Sequence, residues 1–202
     1  MGVFLFFRQV LKNPLRTGAI APSSRFLAER MVDELDLSGE PVVVELGAGT
    51  GALSKELLRR MGGHGRLILV ERSETAARLL RSRFPSATVI CDCVTNLGMH
   101  LRALGIHQVD YVVSGLPWTL FNQELQEQAL AEIVGALRPG GTFVTFIYAH
   151  AGRLLRMGRR FEYRLRATVG DIDKSRVVWR NLPPARVWTA RRMLPEGAGA
   201  RA

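Results

Sequence analysis

Short apolar runs and helical periodicities alternate through the interior of this chain. Residues 42–46 (VVVEL), 66–71 (RLILVE), 88–92 (TVICD), 109–113 (VDYVV) and 142–148 (TFVTFIY) are rich in β-branched and apolar residues. That is the pattern of parallel strands buried on both faces. Between them, ALSKELLRRM, TAARLLRSRF and QELQEQALAEIVGAL place apolar residues at helical spacing. Strand, helix, strand in repetition predicts a doubly wound α/β sheet, since parallel neighbours need a crossover. Toward the C-terminus FEYRLRATV (161–169), RVVWR (176–180) and RVWTARRM (186–193) read as strands with only turns between. This end is predicted to be antiparallel.

At the N-terminus, Val3, Phe6, Phe7, Val10 and Leu11 share one helical face, while Arg8, Lys12 and Arg16 follow at i+4 steps on the other. An amphipathic helix is predicted within residues 1–16, ended or kinked by Pro14 near Asn13. GAIAPSSRFLAERMVDEL then reads as a loop leading into a second helix. Two readings of the first helix stand side by side: a cap on the core, or a helix lying in a membrane interface.

A chain of 202 residues, 47% hydrophobic and 23% charged, fits one domain of ordinary size. No apolar run approaches the ~20 residues that span a bilayer. MGVFLFFR puts its apolar block before its first charge, unlike a secretory signal, and Phe6 stands where a myristoylation motif has Ser or Thr. Charge changes the picture more. Lys and Arg number 28 against 18 Asp and Glu, a net +10, which points to an anionic partner. Lysine occurs only at 12, 55 and 174, so the excess is arginine, whose fork matches phosphate oxygens. Nucleic acid and lipid headgroups both qualify. Cys91 and Cys93, one residue apart, suit neither a disulfide nor a zinc site. A reducing, cytoplasmic setting is expected.

The sharpest local chemistry is Glu45-Leu-Gly-Ala-Gly-Thr-Gly51, between a buried strand and a helix. Glycines 47, 49 and 51 allow a tight turn and close approach of a ligand to outward-facing amides. Glu71 closes the second strand about 20 residues later, where a carboxylate reaches ribose hydroxyls. Asp92 closes the third, where it can accept from the exocyclic amine of adenine. Each acid alone reads as a solvated strand end. Together they line one sheet edge, the place where such folds bind ligands. Ser114-Gly-Leu-Pro-Trp118 follows the fourth strand; Ser114 is read as a cofactor-side residue, and Trp118 as an indole face for a substrate cation or as a core tryptophan. His64, His100, His107 and His150 have no metal-ligand spacing, and no metal is assigned.

These residues resemble the class I S-adenosylmethionine-dependent methyltransferases, which carry an acid at each of these strand ends. GAIAPSS (18–24), VVSGLPW (112–118), FVTFIY (143–148) and WRNLPPARVW (179–188) look like bacterial phospholipid N-methyltransferases, over nearly the whole chain. Departures at Trp118 and in DIDKS (171–175) bear on substrate and not on cofactor. The resemblance implies a Rossmann-like seven-stranded sheet, mostly parallel with an antiparallel C-terminal strand, in one domain over 1–194 with a flexible tail at 195–202. It implies S-adenosyl-L-methionine as cofactor and the amine of phosphatidylethanolamine as acceptor, methylated toward phosphatidylcholine by a cytoplasmic enzyme at the inner face of the membrane.

In-line displacement at a sulfonium methyl needs positioning and a deprotonated amine. Tyr148, at the fifth strand end, and His150 are the candidates for orienting that amine or relaying its proton, with Trp118 as the second aromatic face. Arg8, Lys12 and Arg16, with Arg153, Arg156, Arg159, Arg160, Arg164 and Arg166, are expected to meet an anionic membrane surface. The alternative is an adenine N6-methyltransferase of ribosomal RNA, which has a related N-L-P-Y turn. Its asparagine accepts from the adenine amino group, whereas Gly115 stands at that position here and has no side chain to do so. No nucleic-acid partner is expected.

Overall fold

The computed structural model describes residues 24–149 and 153–193. The expected helix within 1–16, with Arg8, Lys12 and Arg16, and the tail at 195–202 lie outside them.

The elements run α1 (Arg25–Val32), β1 (Val42–Leu46), α2 (Ala52–Met61), β2 (Arg66–Val70), α3 (Glu74–Arg83), β3 (Thr88–Ile90), α4 (Leu97–Ala103) and β4 (Val109–Ser114). They continue with α5 (Gln123–Ala136), β5 (Leu137–Tyr148), α6 (Arg153–Thr168), β6 (Ile172–Lys174) and β7 (Ala185–Arg191). Local chemistry fixes the helix starts. Ser24, Ser73 and Asn122 accept backbone N–H groups of Leu27, Ala76 and Leu125 at the heads of α1, α3 and α5. Helix α2 starts instead from Gly51.

The seven strands are ordered β3-β2-β1-β4-β5-β7-β6, parallel through β5, with β7 antiparallel to both neighbours. Strand order reverses between β1 and β4, which opens a crevice at the carboxyl ends of the strands. Alternation along each strand fills two cores. Val44, Leu46, Ile68, Val112 and Phe143 pack with α5 and α6; Val43, Leu67, Leu69, Val113 and Val144 pack with α1 and α2.

The expected parallel strands all form. The C-terminal expectation needs correction. Residues 161–168 belong to α6 and not to a strand, and Val169 is the turn residue that follows, because the alternation of FEYRLRATV contains a stripe at i, i+4, i+8. Phe161, Leu165 and Val169 are buried on that stripe while Tyr163 is 77% exposed. Residues 176–180 form a turn with a single bridge, Val178 to Ala185, and only the stretch 185–191 becomes a long strand. Helix α4 was not anticipated.

Candidate active site

The strand-end ladder continues past the strands and carries the loops in register. Gly47 N–H donates to Val70 O (2.8 Å), Glu71 N–H to Ile90 O (3.0 Å) and Gly115 N–H to Leu46 O (2.8 Å). Glu45, the glycine loop, Glu71 and Asp92 therefore meet along one edge, as the spacing predicted.

Gly47 and Gly49 have φ of +74° and +54°, in the left-handed region. A Cβ on Gly49 would meet only Gly47 O, at 3.9 Å, so open space faces the crown of the loop. Gly51 does different work from the expected ligand contact. A side chain there would run into the Phe84 ring, so Gly51 lets the end of α3 pack beneath the loop.

Glu71 ties the crevice together: its Oε2 accepts Gly49 N–H (2.9 Å) and its Oε1 accepts Ser73 N–H (2.8 Å). A carboxylate offers about four lone-pair sites. Two remain for hydroxyl donors. Asp92 is more fully engaged. Its Oδ1 accepts Cys93 N–H (2.6 Å), Asn96 Nδ2 lies 3.1 Å from both oxygens, and His100 Nε2 lies 2.6 Å from Oδ2. These contacts, His100 foremost, favour the carboxylate and lower its pKa to about 2. An exocyclic amine must share with or displace one of these groups. Asn96 and His100 were missed by sequence reasoning, although Asp92, Asn96 and His100 recur at helical spacing across the start of α4.

Glu45 is buried, and its Oε2 has no partner among the described residues. Burial pushes its pKa up to about 8, Ser54 of α2 holds the rise in check, and the Glu71 charge adds to it. A buried carboxyl short of a donor, beside a glycine loop with open space over it and an acid with spare acceptors, fits a ligand bearing a cationic group and vicinal hydroxyls.

On the other half of the edge two expectations are overturned. Trp118 is 1% exposed, stacked on Phe161 (4.7 Å between centroids) and edge-on to Phe121 and Phe143. It offers no open face to a cation. The Ser114 hydroxyl is consumed by Trp118 Nε1–H (3.1 Å) and Leu116 N–H (3.2 Å), so it braces the turn and does not reach a cofactor. Arg164 is no membrane-facing cation either: it is drawn onto α5, donating to Gln126 Oε1 (2.9 Å). Arg156, Arg159 and Arg160 are exposed, whereas Arg153 and His150 have no described side chains.

Tyr148 ends β5 on the sheet face opposite Trp118, edge-on to Phe146 (5.3 Å), so the two do not sandwich an ammonium. Burial raises its phenol to about 12, and it stays protonated at neutral pH. It can orient an amine through its oxygen but is a poor acceptor of a full proton.

Comparison with known proteins places this geometry. A family model described as "Methyltransferase domain" matches residues 43–141. An ornithine lipid N-methyltransferase of Singulisphaera acidiphila is 35% identical over 93% of this chain and 95% of its own length. A ribosomal RNA small subunit methyltransferase A of Salinibacter ruber is 44% identical, over only 31% of this chain and 20% of its own. Among solved structures, the 1,6-didemethyltoxoflavin-N1-methyltransferase of Burkholderia thailandensis, with S-adenosylhomocysteine bound, superposes with a TM-score of 0.65 at 17% identity, over 95% of this chain and 86% of that one.

Proposed function

The chain belongs to the class I S-adenosylmethionine-dependent methyltransferases, and from that premise we propose that it methylates the headgroup amine of a membrane lipid. Its cofactor is S-adenosyl-L-methionine. The observation that carries the acceptor is the identity with a lipid N-methyltransferase, which runs nearly end to end in both chains. Phosphatidylethanolamine, methylated toward phosphatidylcholine, is the acceptor that the sequence motifs favour. Ornithine lipid is the one that the relative's name offers.

Gly47 and Gly49 provide the close backbone approach, Glu71 the acceptors for ribose hydroxyls, and Glu45 a buried partner for a cationic group. When bound, the cofactor supplies a methyl group on a sulfonium sulfur, open to in-line attack by a neutral amine. Tyr148 orients that amine through its phenol oxygen, and the proton leaves by way of water. The enzyme works as a peripheral protein at the inner membrane face. No helix among the described residues is long and apolar enough to cross a bilayer.

Partial identity with the ribosomal RNA enzyme favours a second reading, adenine methylation. Gly115 argues against it. It has no side chain to accept from an adenine amino group, and a Cβ there would already stand 3.0 Å from Gly47 O, a tight contact. Labelled S-adenosylmethionine offered with phosphatidylethanolamine vesicles, ornithine lipid vesicles and total RNA in separate reactions is expected to label lipid. Label in RNA alone overturns the proposal.

A further inference from the structure

We propose that the lip formed by residues 176–186 is the surface on which this molecule sits on an anionic bilayer, with Trp179 and Leu182 entering the headgroup region. The inference rests on the lipid-acceptor reading and adds the element that brings the crevice to the lipid.

Position is the first argument. Strand β7 runs antiparallel to β5, with Ala185 paired to Tyr148, and Ala149 N–H donates to Pro184 O (2.8 Å). The turn before β7 thus projects from the same edge as the crevice, beside Tyr148. A lipid amine that approaches Tyr148 from this side passes that lip.

Exposure is the second. Trp179 is 76% and Leu182 79% exposed, in a protein that buries Trp118 and Trp188. Their outward position is held by the chain. Asn181, between them, is buried; its Oδ1 accepts Ser24 N–H (2.9 Å) and its Nδ2 donates to Pro183 O (2.7 Å). Pro183 and Pro184 fix their own φ angles. A braced, apolar tip loses little conformational freedom on inserting.

Charge is the third. Arg176, Arg180 and Arg186 are exposed along the same turn, and no acid occurs between Asp173 and Glu196. Arg180 lies over the Phe26 ring of α1 (4.2 Å), extending the apolar and cationic surface onto that helix. The acids on α1 and just after it are compensated: Glu29 pairs with Arg25, Asp33 with Arg60 and Glu34 with Arg30. Tryptophan at the tip, aliphatic and proline surface beside it and arginine around it is the composition of a membrane interface. A second copy of the same lip would bring arginines against arginines.

The full chain is tested on vesicles of phosphatidylcholine and phosphatidylglycerol in equal parts. Trp118 and Trp188 are already buried, so a blue shift of tryptophan emission on binding, and quenching by brominated lipid, report Trp179 and need no substitution. In the free protein Trp179 is expected to be open to iodide. Trp179→Ser and Leu182→Ser are each expected to weaken vesicle binding about 10-fold, and Arg180→Gln about five-fold. Leu79→Ser, on exposed α3 surface, should leave it unchanged. All these variants should keep S-adenosylhomocysteine affinity and turnover on a monomeric short-chain phosphatidylethanolamine.

Unchanged vesicle binding in the lip variants, with lipid methylation intact, overturns the docking surface alone. Shielding of Trp179 from iodide before vesicles are added overturns it in favour of a cover from residues 1–23. Loss of RNA binding but not vesicle binding assigns the lip to RNA. Failure of the unmodified chain to methylate any lipid overturns the acceptor reading and this inference together.

Discussion

At the ends of β1, β2 and β3 the crevice is made of loops a few residues long, each carrying its own acid or glycine, the first two tied to the neighbouring strand by backbone bonds. Gly49 reaches Glu71, Glu71 caps Ser73, and Asp92 closes on Asn96 and His100. At the ends of β4, β5 and β7 the side chains take their surroundings from distant parts of the chain. Trp118 is enclosed by Phe143 and Phe161, and the residues beside Tyr148 come from 184–185. The first half is polar and is built between consecutive strand-loop units; the second is apolar and draws on segments from beyond its own loops. Substitutions should therefore act on cofactor affinity in one half, and on folding or on the acceptor in the other.

The largest effect is expected where the second half is purely structural. Trp118→Ala removes an indole enclosed by three rings and should destabilise the fold by about 3–5 kcal/mol in urea unfolding, with S-adenosylhomocysteine affinity of the folded protein little changed. Lost affinity at unchanged stability would return Trp118 to the site. Glu71→Ala tests the first half. It takes away the partner of Gly49 N–H and the acceptors proposed for ribose, and calorimetry should show affinity falling by about 1.5–3 kcal/mol.

Tyr148→Phe keeps the ring and removes the oxygen, so turnover on phosphatidylethanolamine vesicles should drop about 10-fold while cofactor affinity holds. The phenol titrates near 12, so the pH–rate profile of the unmodified enzyme should carry no Tyr148 limb near neutrality. Near-normal turnover in the variant would give the orienting role to water.

The smallest effect concerns Glu45. Its pKa is raised in the fold from 4.5 to about 8, so the fold binds a proton that the unfolded chain has released. That contribution to stability is full below pH 4.5 and is lost as pH rises through about 8. Glu45→Gln should flatten the fall of Tm across this window. Cofactor binding near pH 7 should release protons, visible as calorimetric heats that depend on the buffer, and the variant should release fewer.

The sequence by itself determined the parallel sheet, the glycine loop and the acids at the first three strand ends. Each was legible as a short motif or as a run of β-branched and apolar residues, and such patterns are written in neighbouring letters. Tertiary structure alone decided the rest. FEYRLRATV satisfies strand alternation and a helical stripe equally well, and only the neighbours of Phe161 and Leu165 make it a helix. Gly51 looks like Gly47 and Gly49 until Phe84 packs beneath it. Trp118 and Tyr148 both lie at strand ends, yet they fall on opposite faces of the sheet, one fully buried and one half-buried against the other core. Residues 176–180 read as a strand from composition; in the fold they are part of the turn before β7, with one bridge from Val178 to Ala185. Burial and facing depend on residues far away in the chain, and no local pattern carries that information.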